Sequence, residues 1–177
     1  MGRFQPFHRG HLEVVRHIVT GATAHPLLIA IGSAEQSYTW QNPFTGGERF
    51  EMIERALAEA HLPNVVIVPV PDISRHALWV RYLEGLLPPF DRVYSHNPLT
   101  LMLFGHAGYV AESPPLVERG RFEGARIRDS LARGESVTEL VPTAVDRYLH
   151  EIKAAERLRL LRPGSSAPGP GGHPSGR

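Results

Sequence analysis

The chain opens on Gly2-Arg3-Phe4-Gln5-Pro6-Phe7-His8-Arg9-Gly10-His11, and the reading of this stretch decides the fold. It runs straight into a pattern from Gly10 to Val19 that predicts an amphipathic helix. His8 and His11 are three positions apart and share a face once that helix has begun. Gly10 between them has no side chain, which opens the backbone to a phosphate. Free amides at a helix start carry partial positive charge and attract anions. Two imidazoles and Arg3 aimed at one spot would stabilise a phosphate as it gains a fifth ligand. A pair of histidines by itself reads more readily as two solvent-facing residues at a helix end, and a zinc site would lack its third ligand.

Downstream, apolar runs alternate with helical patterns. Pro26–Ile31, Val65–Val70, Arg92–Ser95 and, more weakly, Gly108–Glu112 read as strands. Gly46–Ala60, Leu78–Leu87 and Leu99–Ala107 read as helices, the first opened by a capping box of Thr45 and Glu48. Continuous apolar strands separated by helices predict an α/β fold, a Rossmann-like doubly wound parallel sheet covered on both faces. Such sheets take ligands beyond the carboxyl ends of their strands, where the strand order reverses. Pro142–Leu161 reads as one further helical stretch with Val145, Leu149 and Ile152 on one face. One domain over residues 1–162 is expected, and the Pro-, Gly- and Ser-rich residues 163–177 are expected to be a disordered tail.

Composition narrows the function classes. The 177 residues are 42% hydrophobic and 21% charged, ordinary for a globular domain, with a net charge of +1. That charge argues against a nucleic-acid footprint, which needs a concentrated basic face. No apolar run is long enough for a membrane span, no signal peptide is evident, and the chain has no cysteine. A cytoplasmic setting is expected from these features.

The string from Gly2 to His11 resembles the signature of the HxGH nucleotidyltransferase superfamily, which shares its fold with class I aminoacyl-tRNA synthetases. Its form is similar to that of the archaeal-type nicotinamide-nucleotide adenylyltransferases. The resemblance continues through Gly32-Ser33-Ala34-Glu35-Gln36-Ser37-Tyr38-Thr39, Asn42-Pro43-Phe44-Thr45 and Glu48-Arg49. It extends to Pro69–Ile73 with Leu78-Trp79-Val80, and to Ser95-His96-Asn97-Pro98. Glu123-Gly124-Ala125-Arg126-Ile127-Arg128 stands where the family carries Ser-Gly-Thr-x-Ile-Arg. Gly124, Ile127 and Arg128 match, but both hydroxyls are lost and a carboxylate has entered, which bears on ATP affinity more than on reaction type.

What the resemblance implies is adenylyl transfer from ATP to nicotinamide mononucleotide (NMN), forming NAD and pyrophosphate. It implies His8, His11, Arg3 and Arg128 as catalytic residues, with Gly2, Phe4, Gly10, Arg49, Asn97, Gly124 and Ile127 on the ATP side. Ser33, Thr39, Asn42, Asp72 and Trp79 are implied on the NMN side, where an aromatic face suits a flat cationic pyridinium. Mg²⁺ is expected to arrive with ATP, with no dedicated protein metal site, and a symmetric homo-oligomer is expected. The alternatives are adenylyl or cytidylyl transfer to another phosphate acceptor, and a non-catalytic nucleotide-binding relative. Only Met1 and Gly2 precede Arg3, whereas the phosphate-binding turn of such a sheet is fed by a strand of ~5–6 residues. The first strand is therefore expected to be truncated, and a chain extended upstream is expected to be more soluble and more active.

Overall fold

A computed structural model of the chain describes residues 1–21, 26–115, 118 and 120–164. In chain order the elements are α1 (Arg9–Gly21), β1 (Leu27–Ile31), α2 (Gly46–Glu59), β2 (Val65–Pro69) and α3 (His76–Leu86). They continue with β3 (Arg92–Tyr94), α4 (Pro98–His106), β4 (Val110–Glu112), α5 (Gly124–Arg133), α6 (Thr143–Glu151) and α7 (Ala154–Leu161). All four expected strands form, each close to its expected bounds.

The strands pair in parallel, β1 with β2 from Leu27↔Val65 to Ile31↔Pro69, and β3 with β4 from Arg92↔Val110 to Tyr94↔Glu112. Met1 and Gly2 lie between the two pairs. Gly2 forms a parallel bridge to Ile31, donating to the Ala30 carbonyl at 3.2 Å and accepting from Gly32 N–H at 2.9 Å. On the other side the Met1 amine donates to the Tyr94 carbonyl at 3.1 Å. The order across the molecule is thus β2, β1, the Met1–Gly2 segment, β3, β4, and it reverses at that segment. Arg3 to His8 emerge from this reversal, where a sheet of this kind opens its ligand crevice.

Alternation along β1 sorts the core onto two faces. Ile29 and Ile31 face a cluster built with Leu12, Val15, Met52, Ile53, Ile127, Leu131, Val145 and Leu158. Ala30 faces the other way, toward Val70, Val80, Leu83, Val93 and Phe104. Pro69, which has no N–H to donate, sits at the end of the edge strand β2, where the ladder loses least.

The stretch expected as one helix from Pro142 to Leu161 is two. Lys153 adopts φ 51°, a left-handed conformation no α-helix passes through, so α6 ends and α7 restarts at a new angle. Val145 and Leu149 face the core as expected, while Ile152 falls in the break, only partly buried. The break lets Arg157 return to the start of α2, where its guanidinium grips Glu48 with two bonds of 2.7 Å. Burial raises the Glu48 pKa, but the Arg157 and Thr45 hydrogen bonds outweigh it and hold the carboxyl below its usual range. Of the tail expected from Pro163, residues 165–177 lie outside the described residues.

Candidate active site

The signature segment is a tight loop held from three sides. Phe4 is left-handed at φ 53°, and its buried ring lies edge-on to His11 with centroids 4.9 Å apart. Gln5 is buried, and its side-chain amide clamps the Phe44 backbone, donating to the carbonyl and accepting from the N–H at 3.0 Å each. Its own carbonyl accepts from Arg128 at 2.8 Å, tying the loop to α5. Phe7 is fully buried and stacks on His11 with centroids 5.5 Å apart.

These contacts drive the two histidines together. His8 and His11 stack with centroids 3.5 Å apart and planes 17° from parallel. Each Nδ1 accepts a long 3.3 Å bond from the other residue's backbone N–H. The solvent-facing arrangement weighed for a lone pair is not what forms, since His8 is only 7% exposed. Burial lowers the His8 pKa to about 4. Burial, then the charges of His8, the terminal ammonium and His96, push His11 well below its usual value. Both imidazoles are therefore neutral at neutral pH, each with an N–H to give.

Two cations face the same region. Arg3 is exposed, and Arg128 is half-buried, with its Nε shielded from solvent and without a protein partner. Burial and then repulsion from Arg3 lower the Arg128 pKa, so the two guanidinium groups lie within electrostatic reach of one another. Like charges brought together near a helix start make a place for a polyanion.

Several expected site residues have much of their hydrogen-bonding or packing capacity engaged within the protein. Arg49, expected to reach a phosphate, is instead fully buried. Its donors are taken by the carbonyls of Thr45, Arg3, Gly32, Ser33, Ala34 and Gln36 at 2.9–3.5 Å. It is a bracket holding the signature loop to the Ser33–Phe44 loop. Ile127 is wholly buried, and the Gly2 backbone is spent on β1, so neither side chain nor peptide of these two is free for ATP. Phe4 likewise gives its ring to the core and His11. Asn97 caps α4, its Oδ1 accepting from Leu99 N–H at 2.9 Å and Thr100 N–H at 3.4 Å, so only its Nδ2 side remains toward a ligand. Gly10, expected to clear room for a phosphate, is covered instead, and a Cβ there would meet Phe122 Cβ at 2.9 Å. Gly124 is needed for packing, since a Cβ would lie 3.0 Å from the Gln5 carbonyl.

The residues expected on the NMN side gather at the ends of β1 and β2. Ser33 is left-handed at φ 49° just after β1. Thr39 Oγ1 accepts from Asn42 N–H at 3.0 Å, and Asn42 Oδ1 is buried without a partner. Asp72 is exposed, and its N–H donates to Glu35 at 2.9 Å, which ties the two loops together. Trp79 is half-buried with its edge toward Phe104 at 5.6 Å, so the ring serves the core and is open only in part. Glu123 is exposed at the start of α5 and makes no side-chain cap bond, while Arg126 donates to the Gly120 carbonyl.

Two residues escaped the sequence reading. Gln5 is a buried polar side chain between Phe4 and Pro6, a placement that could have been taken as a sign of a backbone clamp. Phe122 lies nearly parallel to His8, 15° apart with centroids 6.3 Å distant, and its signal was only an aromatic residue ahead of Glu123-Gly124. A shallow cleft of about 510 Å³ between α2 and α6 is a weaker candidate, because its Arg55 and Arg147 are already paired with Glu51, Glu151 and Glu59.

Residues 1–118 match the family model described as cytidylyltransferase-like. The chain belongs to this family. Within it, the chain is 47% identical over 161 residues to a nicotinamide-nucleotide adenylyltransferase of Methanosphaerula palustris, covering 91% of this chain and 94% of that one. It is 44% identical over 165 residues to the enzyme of the same name from Aeropyrum pernix, with 92% and 95% covered. Relatives so alike over nearly their whole length make the chain a nucleotidyltransferase of the nicotinamide-nucleotide adenylyltransferase group. A solved bifunctional NMN adenylyltransferase/ADP ribose pyrophosphatase from Francisella tularensis shares the fold, with a TM-score of 0.71 and 21% identity, over 90% of this chain and 50% of that one. The cytidylyltransferase-like fold thus agrees with the Rossmann-like sheet expected from the sequence.

Proposed function

We propose that this chain transfers the adenylyl group of ATP to NMN, giving NAD and pyrophosphate. The observation that carries the proposal is the pair of buried, stacked imidazoles, with Arg128 bound to the same loop through the Gln5 carbonyl, at the point where the strand order reverses. The 5′-phosphate oxygen of NMN attacks the ATP α-phosphorus in line. Its new P–O bond forms as the bond to the pyrophosphate oxygen breaks. Positioning and charge neutralisation supply the acceleration, and no covalent intermediate with the protein is needed.

In this reading His8 and His11 give their N–H groups to the transferring phosphate, and Arg3 and Arg128 hold the triphosphate. The bound polyanion raises both imidazole pKa values and draws protons onto them as charge develops. Ser33, Thr39, Asn42 and Asp72 meet the nucleotide at the ends of β1 and β2, with Trp79 beside nicotinamide and Asn97 toward the adenosine. Asn42 Oδ1, buried and unpartnered, is an acceptor that a carboxamide N–H would satisfy.

The divalent ion enters as part of the substrate, Mg·ATP. Among the described residues no group of three His, Asp or Glu side chains stands ready to hold a resident metal. A second solved structure of the bifunctional Francisella tularensis protein is complexed with AMP and Mn ion, which supports a divalent ion travelling with the nucleotide. No helix among the described residues is long and apolar enough to cross a membrane. A cytoplasmic setting would supply both substrates, ATP and NMN. The expected symmetric oligomer has its candidate contact on the outer side of α4, where Leu99 and Met102 are exposed.

Incubating the chain with Mg·ATP and NMN tests the reading. NAD and pyrophosphate appearing in equal amounts support it, and binding of both nucleotides without turnover would overturn it.

A further inference from the structure

The loop that carries most of the expected NMN contacts is held in two halves by two different arginines. Arg49 takes the carbonyls of Gly32, Ser33, Ala34 and Gln36, which fixes the first half. The second half is a closed turn. Thr39 N–H donates to the Asn42 carbonyl at 3.2 Å, and Asn42 N–H donates to Thr39 Oγ1 at 3.0 Å. Asn42 Nδ2 donates to Gln36 Oε1 at 2.9 Å, which orients the side chain. These bonds shape the turn from within, but they do not seat it on the body of the protein.

Arg157 seats it. Its guanidinium lies over the Tyr38 ring, 4.9 Å from the centroid, and donates to the Pro43 carbonyl at 3.2 Å. Tyr38 and Pro43 are the residues immediately before and after the Thr39–Asn42 turn, so one side chain grips both of its ends. Tyr38 is exposed and left-handed at φ 54°, a conformation a bulky residue keeps only where its surroundings hold it. The same guanidinium gives two 2.7 Å bonds to Glu48, whose Oε2 also accepts from Thr45 N–H at 2.9 Å. Arg157 and Glu48 are only 17% and 15% exposed, so the pair is a fixed point at the start of α2. A planar guanidinium can serve ring face, carbonyl and carboxylate together, which a single ammonium cannot.

The grip comes from far along the chain. Arg157 stands on α7, beyond residues 1–118 that match the family model. Two residues on, Arg159 donates to the Ala132 carbonyl at 3.2 Å, on the helix α5 that carries Arg128. Helix α7 thus backs both sides of the site, α5 through Arg159 and the turn through Arg157.

We propose that Arg157 is a positioning residue for the acceptor, holding the Thr39–Asn42 turn in the form that receives NMN. The proposal rests on the adenylyl-transfer reading. Without Arg157 the turn keeps its internal bonds, but its place must be set when NMN binds, and that ordering weakens NMN binding. Arg3, Arg128 and the imidazole pair are held by other contacts, so the loss falls on NMN and not on ATP.

Steady-state assays of the full chain, varying NMN at saturating Mg·ATP and then the reverse, provide the test. R157M is expected to raise the KM for NMN about five- to tenfold, with the KM for ATP and kcat close to those of the parent. R157K keeps a charge beside Glu48 but cannot reach ring and carbonyl as well, so it should recover only part of the KM. R55M is the control: it breaks the 2.9 Å pair with Glu151 between α2 and α6, away from the turn, and should leave both KM values unchanged. Thermal melts establish which variants fold, and R157K decides if R157M does not. A parental KM for NMN in the folded variant, or KM values for NMN and ATP rising in step, would overturn the positioning role. Absence of NAD formation by the parent would instead overturn the adenylyl-transfer reading beneath it.

Discussion

His8 and His11 stack ring on ring at 3.5 Å, so neither takes up a proton without placing charge against the other. Burial holds the His8 pKa at about 4, against 6.5 for an ordinary histidine, and pushes His11 down as well. As pH falls, the unfolded chain protonates first. Stability that depends on the neutral pair is whole above the ordinary value of 6.5 and is lost as pH falls from there toward 4. His8 alone accounts for a loss on the order of 3 kcal/mol across that window. Urea midpoints should drop between pH 7.5 and pH 5, and H8N should drop less. Equal midpoints at both pH values would contradict the neutral pair.

The same stacking makes the pair a single catalytic unit. Removing one charge-stabilising donor from such a site costs about 10²-fold or more in turnover. H8A should therefore lose at least that much NAD formation at neutral pH, and H8A/H11A little more than either single change, because residues acting as a unit are not additive. A multiplicative double loss would mean that the two imidazoles serve separate steps.

Arg49 separates a structural role from a direct one. Its guanidinium serves six backbone carbonyls from inside the protein. R49M leaves those acceptors without donors and should cost about 3 kcal/mol or more. R49K should recover little, since an ammonium has three donors and cannot reproduce the planar fork. Denaturation of both variants, compared with the KM for ATP, decides the matter. If R49K kept its stability and lost only ATP affinity, the phosphate contact first expected for Arg49 would stand.

The fold was legible because β1 and β2 are continuous apolar runs and α2 and α4 open on clear caps, at Thr45 with Glu48 and at Asn97. The break at Lys153 was not legible, since nothing in a lysine announces a left-handed residue, and the apolar spacing runs across it. At the site, the residue types were readable but their division of labour was not. Arg49 looks the same in sequence whether it meets a phosphate or six carbonyls, and only packing against Gly32, Ser33 and Ala34 distinguishes them. Gly10 signalled close approach correctly, but the group that approaches it here is Phe122. Sequence spacing reports that room is needed, and not what fills it.

Two glycines make opposite predictions from the same substitution. Gly124 opens α5 with its Cα against the signature loop, and a Cβ would lie 3.0 Å from the Gln5 carbonyl oxygen and 3.4 Å from the Arg128 guanidinium. That carbonyl is backbone, held by Arg128 in a loop already clamped by Gln5 and Arg49, so it has little room to give. G124A should shift α5 outward, weaken the 2.8 Å bond from Arg128 to Gln5, and destabilise the chain by about 1–3 kcal/mol. Because that bond aims Arg128, the KM for ATP should rise as well. Gly85 lies within α3 with nothing within 4 Å of where a Cβ would stand. There alanine only removes freedom from the unfolded chain, so G85A should stabilise by about 0.4–1 kcal/mol and leave turnover unchanged. Melting and NAD-formation assays on the two variants check both signs, and a G124A protein as stable and active as the parent would mean that α5 is not seated against the loop through Gly124.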